Sequence, residues 1–463
     1  MAYPQQRGQE YLLSKAEISA DRSLPDGPVD VKAYIGEISF FEDLEKPYVT
    51  AQIAMMDDSG TFSRLKLKGT EYITLTIEAL EDDLKALGIQ FTLKMNIVSI
   101  IKTGKTADRT EFFLLDCISP HAYRDAAIKI SKSYTGKIEQ IAEAVLRNHL
   151  DVDVDTSYSI ESIQDPIRIL TPYISPLETV EMLLDRATSE TGCPYYAWST
   201  LYDQVEGRDK VRIGNIETML QAPAFNEDLP YTFNAADTQS KATKGVSEQV
   251  TTVKEVRIEN VENTLQMIDE AAVGSMMQSL DTYTSQRYAR HFEVSQLLDK
   301  LKEKNVIKET TDQNVFDTDQ VLEFSGESKK VDKWDARYIN TITSYGTYGS
   351  VNSYHDVFDQ SQALNKIRAS AIKTLLNKNM IDVTLPGVTF LAALGKGNSG
   401  VSVGDIIKVD FFNSDLAALE SGEDIYNNER SGYYLVHKCR NIFRDTTHNV
   451  VISISKLNAR EPA

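Results

Sequence analysis

The sequence predicts an α+β protein that is mainly β, with two similar antiparallel β-barrels plus α+β domains. Apolar and polar residues alternate over short segments near both ends of the chain, as in half-buried strands. Helical periodicity is confined to the middle of the chain. The 463 residues, of which 41% are hydrophobic, are enough for roughly two to four domains with cores of their own.

The opening part of the chain is predicted to form an arm and the first barrel. Residues 1–22 are polar and are expected to be an irregular N-terminal arm. Residues 23–120 contain five predicted strands, at 31–41, 48–56, 72–78, 91–101 and 112–118. In the third strand Ile73, Leu75 and Ile77 alternate with Thr74 and Thr76, which predicts one buried face.

The middle and the end of the chain divide into three further parts. Residues 121–225 are predicted to be an α+β domain, with a helix that starts at the capping box Ser175-Pro176-Leu177-Glu178. Residues 226–300 and 380–460 are predicted to form a second, discontinuous barrel. Residues 301–379 are interpreted as an insertion with little core and one helix at 362–376, whose inner face would carry Leu364, Ile367, Ala371 and Leu375.

The last β block resembles the first in its pattern, which indicates an internal duplication. Residues 70–77 align with 404–411, and 97–119 align without a gap with 435–457, so that Leu114 falls on Ile452. Polar turns are predicted at 102–110 and 440–448. We expect the barrel cores to contain Leu75, Ile77, Leu114, Val409 and Ile452.

Charge and cysteine content restrict the classes of function. The net charge is −19, whereas proteins that grip duplex DNA normally carry a basic patch or excess. The acidity favours solubility or an acidic surface that DNA passes without binding. Cys117, Cys193 and Cys439 form no CxxC pair and are expected to be buried thiols. The sequence has no visible signal peptide and no apolar run long enough to span a bilayer, so no stable membrane insertion is expected.

No motif predicts a catalytic, cofactor or metal site. The six histidines form neither HExxH nor an HxH pair. Residues 151–155 alternate Asp with Val, but the glycine and glutamate that an EF-hand loop needs are absent. The glycine-rich segment 395–400 lacks the spacing of a phosphate loop. Trp198, on an apolar strand, is expected in the core.

Four segments carry a resemblance through their order. They are 46–60 in the opening β block, 172–198 with Gly192-Cys193-Pro194, Leu385-Pro386-Gly387 followed by Val403-Gly404-Asp405, and the closing hairpin at 433–454. In this order they resemble the baseplate hub protein of T-even-like contractile-tail phages, and the related hub module of type VI secretion spike proteins. The resemblance implies a non-enzymatic homotrimer in the tail baseplate of the virion, assembled in the host cytoplasm. Residues 301–360 have no counterpart in it.

The resemblance also implies partners and a place for the barrels. A trimer with two barrels per chain presents six barrels in a ring, which can join a sixfold tail tube to a threefold cell-puncturing spike. The implied partners are the tail tube protein, the trimeric spike protein and other baseplate (wedge) proteins, while DNA passes without specific binding. The polar strand residues Thr74, Thr76, Glu78 and Asp410 are candidates for the channel or the ring interface. The alternatives are the hub of a type VI secretion-like machine, a β-rich envelope glycan hydrolase, and an adhesin.

Overall fold

The computed structural model describes most of the chain, with gaps. The described residues are 11–20, 27–79, 90–107, 110–159, 167–204, 209–227, 229–233, 251–258, 264–281, 285, 287–307, 321–324, 326–334, 337–343, 360–378, 380–387, 402–412, 427 and 430–457. The predicted glycine-rich segment at 395–400 lies outside these residues. No helix among the described residues is long and apolar enough to cross a membrane.

The fold is mainly β, as predicted, and its largest element is a predominantly antiparallel sheet. The first half of this sheet comes from the start of the chain: β1 Tyr11–Ser19, β2 Val29–Asp30, β3 Ile35–Asp43, β4 Thr50–Asp57, β5 Tyr72–Ala79, β6 Gln90–Ala107 and β7 Thr110–Ile118. A short helix, α1 Thr61–Leu65, and a 3-10 turn at Lys32–Tyr34 connect these strands.

The prediction of an irregular arm at residues 1–22 is wrong for residues 11–19, which form a strand. Tyr11–Ser19 is a strand that pairs antiparallel with β5, and it buries Ala16 and Ile18. A β-bulge between Leu13 and Lys15 interrupts the register. Because the bulge breaks the period-2 alternation of apolar residues, the pattern did not indicate a strand.

An α+β region follows the first half of the sheet along the chain. Its strands are β8 Ser133–Gly136, β9 Asp153–Asp155, β10 Ile167–Leu170, β11 Tyr195–Trp198 and β12 Lys210–Asn215. Its helices are α2 Pro120–Asp125, α3 Ile138–Val145, a π-helical turn at Leu146–Leu150, α4 Pro176–Leu184, a 3-10 turn at Leu201–Gln204 and α5 Ile216–Gln221. The capping box predicted at Ser175 is present at the start of α4.

The remaining elements belong to the second half of the large sheet or pack beside it. The large-sheet strands are β13 Tyr231–Phe233, β14 Glu255–Ile258, β20 Ile381–Pro386, β21 Ile406–Phe411, β22 Gly432–Arg444 and β23 Thr447–Ser455. Two small sheets contain β15 Gly274–Asp281, β16 Arg287–Glu293 and β19 Tyr338–Thr343, and β17 Val321–Phe324 with β18 Glu327–Lys330. The helices are α6 Thr264–Asp269, α7 Val294–Glu303, a 3-10 turn at Val331–Lys333 and α8 Gln360–Lys378.

The two halves form one continuous sheet among the described strands. Its order is β14-β20-β23-β22-β3-β4-β7-β6-β5-β1-β2, with β21 beside β22 and β13 beside β21. Two separate closed barrels therefore stay a prediction. The domain boundaries also stay predictions, although β15 and β16, within the residues assigned to the second barrel, lie in a separate sheet. Helix α8 buries Ile367, Ala371 and Leu375 in the core of the second half, while Leu364 is partly buried.

The strand order confirms that the two halves repeat one arrangement. In the first half the neighbours run β5-β6-β7-β4-β3, and in the second half β21-β22-β23-β20-β14, with every pair antiparallel. The predicted alignment of 70–77 with 404–411 holds, because Tyr72 pairs with Asn96 as Ile406 pairs with Leu435. Leu75, Ile77, Val409 and Ile452 are buried, as predicted.

The predicted alignment of the two long hairpins is wrong by one residue in each strand. β-bulges lie between Ile97 and Ser99 in β6 and between Val436 and Lys438 in β22, which makes Ile97 equivalent to Val436. Two further bulges, Lys102/Gly104 and Lys105/Ala107, lengthen β6 alone. As a result Leu115, rather than Leu114, is the counterpart of Ile452. Leu114 is only partly buried, whereas Leu115 is in the core.

Candidate functional site

The junction between the two halves is the candidate site, and we call it the seam: residues 37–43 of β3 paired with 438–444 of β22. The strands run antiparallel from the pair Asp43–Lys438 to the pair Glu37–Arg444. Three ion pairs cross it: Lys438–Asp43 at 4.0 Å, Arg440–Glu37 at 3.6 Å and Arg444–Glu37 at 3.9 Å. These side chains are partly exposed, so each pair contributes about 0–1 kcal/mol. Two of them, Lys438–Asp43 and Arg444–Glu37, join residues that are also directly opposed in the backbone pairing.

An aromatic side chain from the second half completes the core of the first. The ring of Phe443 is buried, with centroids 5.0 Å from Tyr11, 5.9 Å from Phe40 and 6.3 Å from Phe91. The backbone N–H of Tyr11 donates to the carbonyl of Thr446 at 3.1 Å. The turn predicted at 440–448 is therefore mostly strand, because β22 continues to Arg444 and only Asp445 and Thr446 adopt left-handed conformations.

A buried polar network crosses the seam. The hydroxyl of Ser402 donates to Glu42, and the amide nitrogen of Asn441 donates to Glu42 Oε1 at 3.1 Å. His448 Nε2 lies 3.0 Å from Asn441 Oδ1. Because an amide oxygen only accepts, His448 donates through Nε2, and its ring stacks on Phe443 at 4.1 Å.

Burial keeps this network uncharged near neutral pH. Removal from water disfavours the ionised carboxylate, and it raises the pKa of Glu42 to about 8. Burial, aided by the charge of Lys254, lowers the pKa of His448 to about 3. Asn441 donates to the protonated Glu42 and accepts from the neutral His448. The network therefore buries no unpaired charge.

A buried ion pair of the α+β region lies close enough to the seam to act electrostatically on Glu42. Arg212 donates to both oxygens of Asp203 at 2.8 Å, in the two-pronged geometry that guanidinium groups favour. Asp405 lies nearby, and burial raises its pKa to about 6 although Arg212 acts against this. His121 connects the same region to the segment between β3 and β4, with Nε2 2.7 Å from the carbonyl of Pro47.

Asp405 also marks the repeat, because it has a counterpart in Glu71. The carboxylate of Asp405 accepts the backbone N–H of Ser402 at 3.0 Å, as Glu71 accepts that of Lys68. The carbonyls of the same two residues accept the N–H groups of Val436 and Ile97 at 3.0 and 2.9 Å. The two halves thus share the turn chemistry before β5 and β21 as well as their strand order.

The four residues predicted for the channel or ring interface lie on the equivalent strands β5 and β21. Thr76 and Asp410 are equivalent positions on β5 and β21, and their exposed fractions are 6% and 4%. The Thr76 hydroxyl lies 3.0 Å from that of Thr92. Thr74 and Glu78 are partly exposed. A role for any of the four at a channel stays a prediction.

The cysteines and the tryptophan that were expected in the core lie in the interior of the protein. Cys117, Cys193 and Cys439 are buried as free thiols, and Trp198 is in the core. Within the described parts of the chain, no group of three or more His, Cys, Asp or Glu side chains could hold a metal ion.

The sequence did not indicate Glu42, Asn441, Phe443 or His448 as important residues. The alternation of Cys439, Asn441 and Phe443, all buried, was the signal that β22 extends through the predicted turn.

Comparison with solved structures finds several chains of similar structure. The 43 kDa tail protein of prophage MuSo2 from Shewanella oneidensis has a TM-score of 0.51 and 10% identity, covering 95% of this chain and 97% of the other. A tail protein from Neisseria meningitidis MC58 gives 0.49 and 9%, covering 96% and 97%. An E. coli component of the type VI secretion system gives 0.38 and 9%, covering 93% and 76%.

The comparison with the MuSo2 tail protein agrees with the predicted resemblance at the level of fold. The chain has the fold of the MuSo2 tail protein, along nearly the whole of both chains. No family model matches the sequence, and no curated protein matches it.

Proposed function

We propose that this chain is a structural baseplate hub subunit of a contractile phage tail. It forms a homotrimer that joins the sixfold tail tube to the threefold cell-puncturing spike and lines the channel for DNA. The observation that carries the proposal is the repeat: β5-β6-β7-β4-β3 and β21-β22-β23-β20-β14 have the same order within one continuous sheet. Three such chains supply six similar units, which matches a sixfold ring on one side and a threefold object on the other.

The fold shared with a phage tail protein supports a place in the virion. The partners that follow are the tail tube protein, the trimeric spike protein and the wedge proteins of the baseplate. The hub of a type VI secretion-like machine is the nearest alternative, since it asks for the same symmetry. The catalytic and adhesin alternatives draw no support from the buried seam, where Glu42, Asn441 and the Nε2 of His448 are hydrogen-bonded to one another.

The proposal is tested by the mass of the purified chain in solution, combined with negative-stain imaging and a peptidoglycan cleavage assay. We expect a trimer, ring-shaped particles with a central hole, and no cleavage. A monomer that cleaves peptidoglycan would establish the enzyme instead.

A further inference from the structure

One side of β6 is an uncovered sheet edge within the described chain. β5 pairs with β6 only from Gln90 to Asn96, whereas β7 occupies the other side from Asn96 to Ala107. Beyond Ile97 no described strand pairs with β6 on the side of β5. Two large apolar side chains of this stretch, Val98 and Ile101, are 52% and 45% exposed.

The equivalent edge of β22 is covered. β21 pairs with β22 from Gly432 to Leu435, and β23 occupies the opposite side from Leu435 to Arg444. β3 must therefore lie on the side of β21, where it pairs with residues 438–444. Within one chain, β3 therefore pairs with the edge of β22 in the second half. No described strand pairs with the equivalent edge of β6 in the first half.

The repeat identifies the strand that would fill the uncovered place. β3 pairs with β4, and β14 pairs with β20, in corresponding registers: Phe40–Ala51 matches Ile258–Ile381. The counterpart of β3 is therefore β14. This strand ends the described sheet, and Ile258 on it is 39% exposed.

We infer that β14 of a second copy of this chain pairs antiparallel with the uncovered edge of β6, continuing the sheet from one chain to the next. The seam supplies the register. Asn441 pairs with Phe40 there, and the equivalent residues place Lys102 opposite Ile258 of the second copy. Backbone pairing of this kind satisfies edge N–H and C=O groups and covers apolar edge residues.

This inference rests on the proposed homotrimer and specifies how its chains meet. The interface is heterologous, because β6 of each copy meets β14 of the next, so successive copies either close into a ring or form a filament. Closure after three copies would produce six equivalent junctions: three seams within chains and three β6–β14 pairings between chains.

Cysteine cross-linking in the full-length chain tests the pairing. Directly opposed residues of an antiparallel pair have Cβ atoms about 4.5–5.5 Å apart, and a small backbone adjustment brings them to the about 3.5–4.5 Å of a disulfide. We expect mild oxidation of the double variant Lys102→Cys with Ile258→Cys to give covalent dimers and trimers. The native thiols are buried and should not react. The matched control is Ile101→Cys with Ile258→Cys, because a shift of one residue turns the side chain to the other face.

The native mass of the same samples separates the inference from the proposal beneath it. A trimeric mass without the 102–258 cross-link would overturn the strand pairing and leave the trimer intact. An intramolecular disulfide would overturn it as well, because the two edges would then meet within one chain. A protein that stays monomeric and uncross-linked at high concentration would contradict both the pairing and the trimer.

Discussion

Leu115 and Ile452 occupy equivalent positions in the two halves of the large sheet. Leu115 pairs with Ile53 and Ile100, and Ile452 pairs with Val383 and Cys439, the corresponding neighbours. Both side chains are fully buried. The equivalence depends on the β-bulge shared by β6 and β22, which keeps the buried faces of both hairpins in phase.

Truncation of Leu115 tests this phase. We expect Leu115→Ala to lower the free energy of unfolding by about 2–5 kcal/mol, because it leaves a cavity in the core. Leu114→Ala is the matched control, and its cost should be clearly smaller because Leu114 is only partly buried. Chemical denaturation measures both values. Equal costs would mean that the assigned faces of β7 are wrong.

Phe443 should contribute to the stability of the first half although it belongs to the second. We expect Phe443→Ala to cost about 3–5 kcal/mol, because its ring packs against Tyr11, Phe40 and Phe91. The neighbouring Ile442→Ala, on the opposite face of β22, should cost less. Hydrogen exchange should show faster opening of β1 and β3 in the Phe443 variant. Faster opening confined to β20–β23 would show that the tip of the hairpin is not part of the first core.

Glu42 should make stability depend on pH. Its pKa is about 8 in the folded chain and about 4.3 for an unperturbed Glu. The folded state therefore holds more protons between these values, so the contribution is fully present below about pH 4 and is lost as pH rises through 8. We expect Glu42→Gln, which cannot ionise, to become more stable relative to the wild type as pH rises from 5 to 8.5.

Denaturant unfolding of both proteins across this pH range measures the difference. In the Gln variant, Asp405, whose pKa is raised to about 6, should still make stability fall as pH rises. This fall should be confined to a lower pH range than the fall caused by Glu42. Parallel stability profiles of the wild type and Glu42→Gln would show that Glu42 is not the buried acid inferred here.

The proposed channel should not retain DNA. A net charge of −19 and a bore that is acidic on balance would repel phosphates within about 8 Å at physiological salt. Thr74, Thr76, Glu78 and Asp410 stay the predicted polar residues of the channel or ring interface. We expect the assembled protein to leave the fluorescence anisotropy of a labelled DNA duplex unchanged at physiological salt. Strong binding that weakens steeply with added salt would indicate a bore lined with Lys and Arg.

The sequence predicted those parts of the fold that uninterrupted alternation encodes. Ile73, Leu75 and Ile77 identified β5, and their alignment with β21 was correct because no bulge interrupts either strand. Bulges concealed β1 and shifted the hairpin alignment, since one extra residue reverses the inward and outward faces.

The seam could not be read from local pattern at all. Glu42 and Asn441 are far apart in the chain, and a glutamate on a strand ordinarily indicates a solvent-facing position. Only the pairing of β3 with β22 brings them together and buries them.

A cryo-electron microscopy map of the assembled chain tests the central claim most directly. The account predicts a threefold particle in which six similar β units surround a continuous channel wide enough for duplex DNA. A stable monomer or dimer in the assembled particle, or a trimer without a channel, would contradict the hub function.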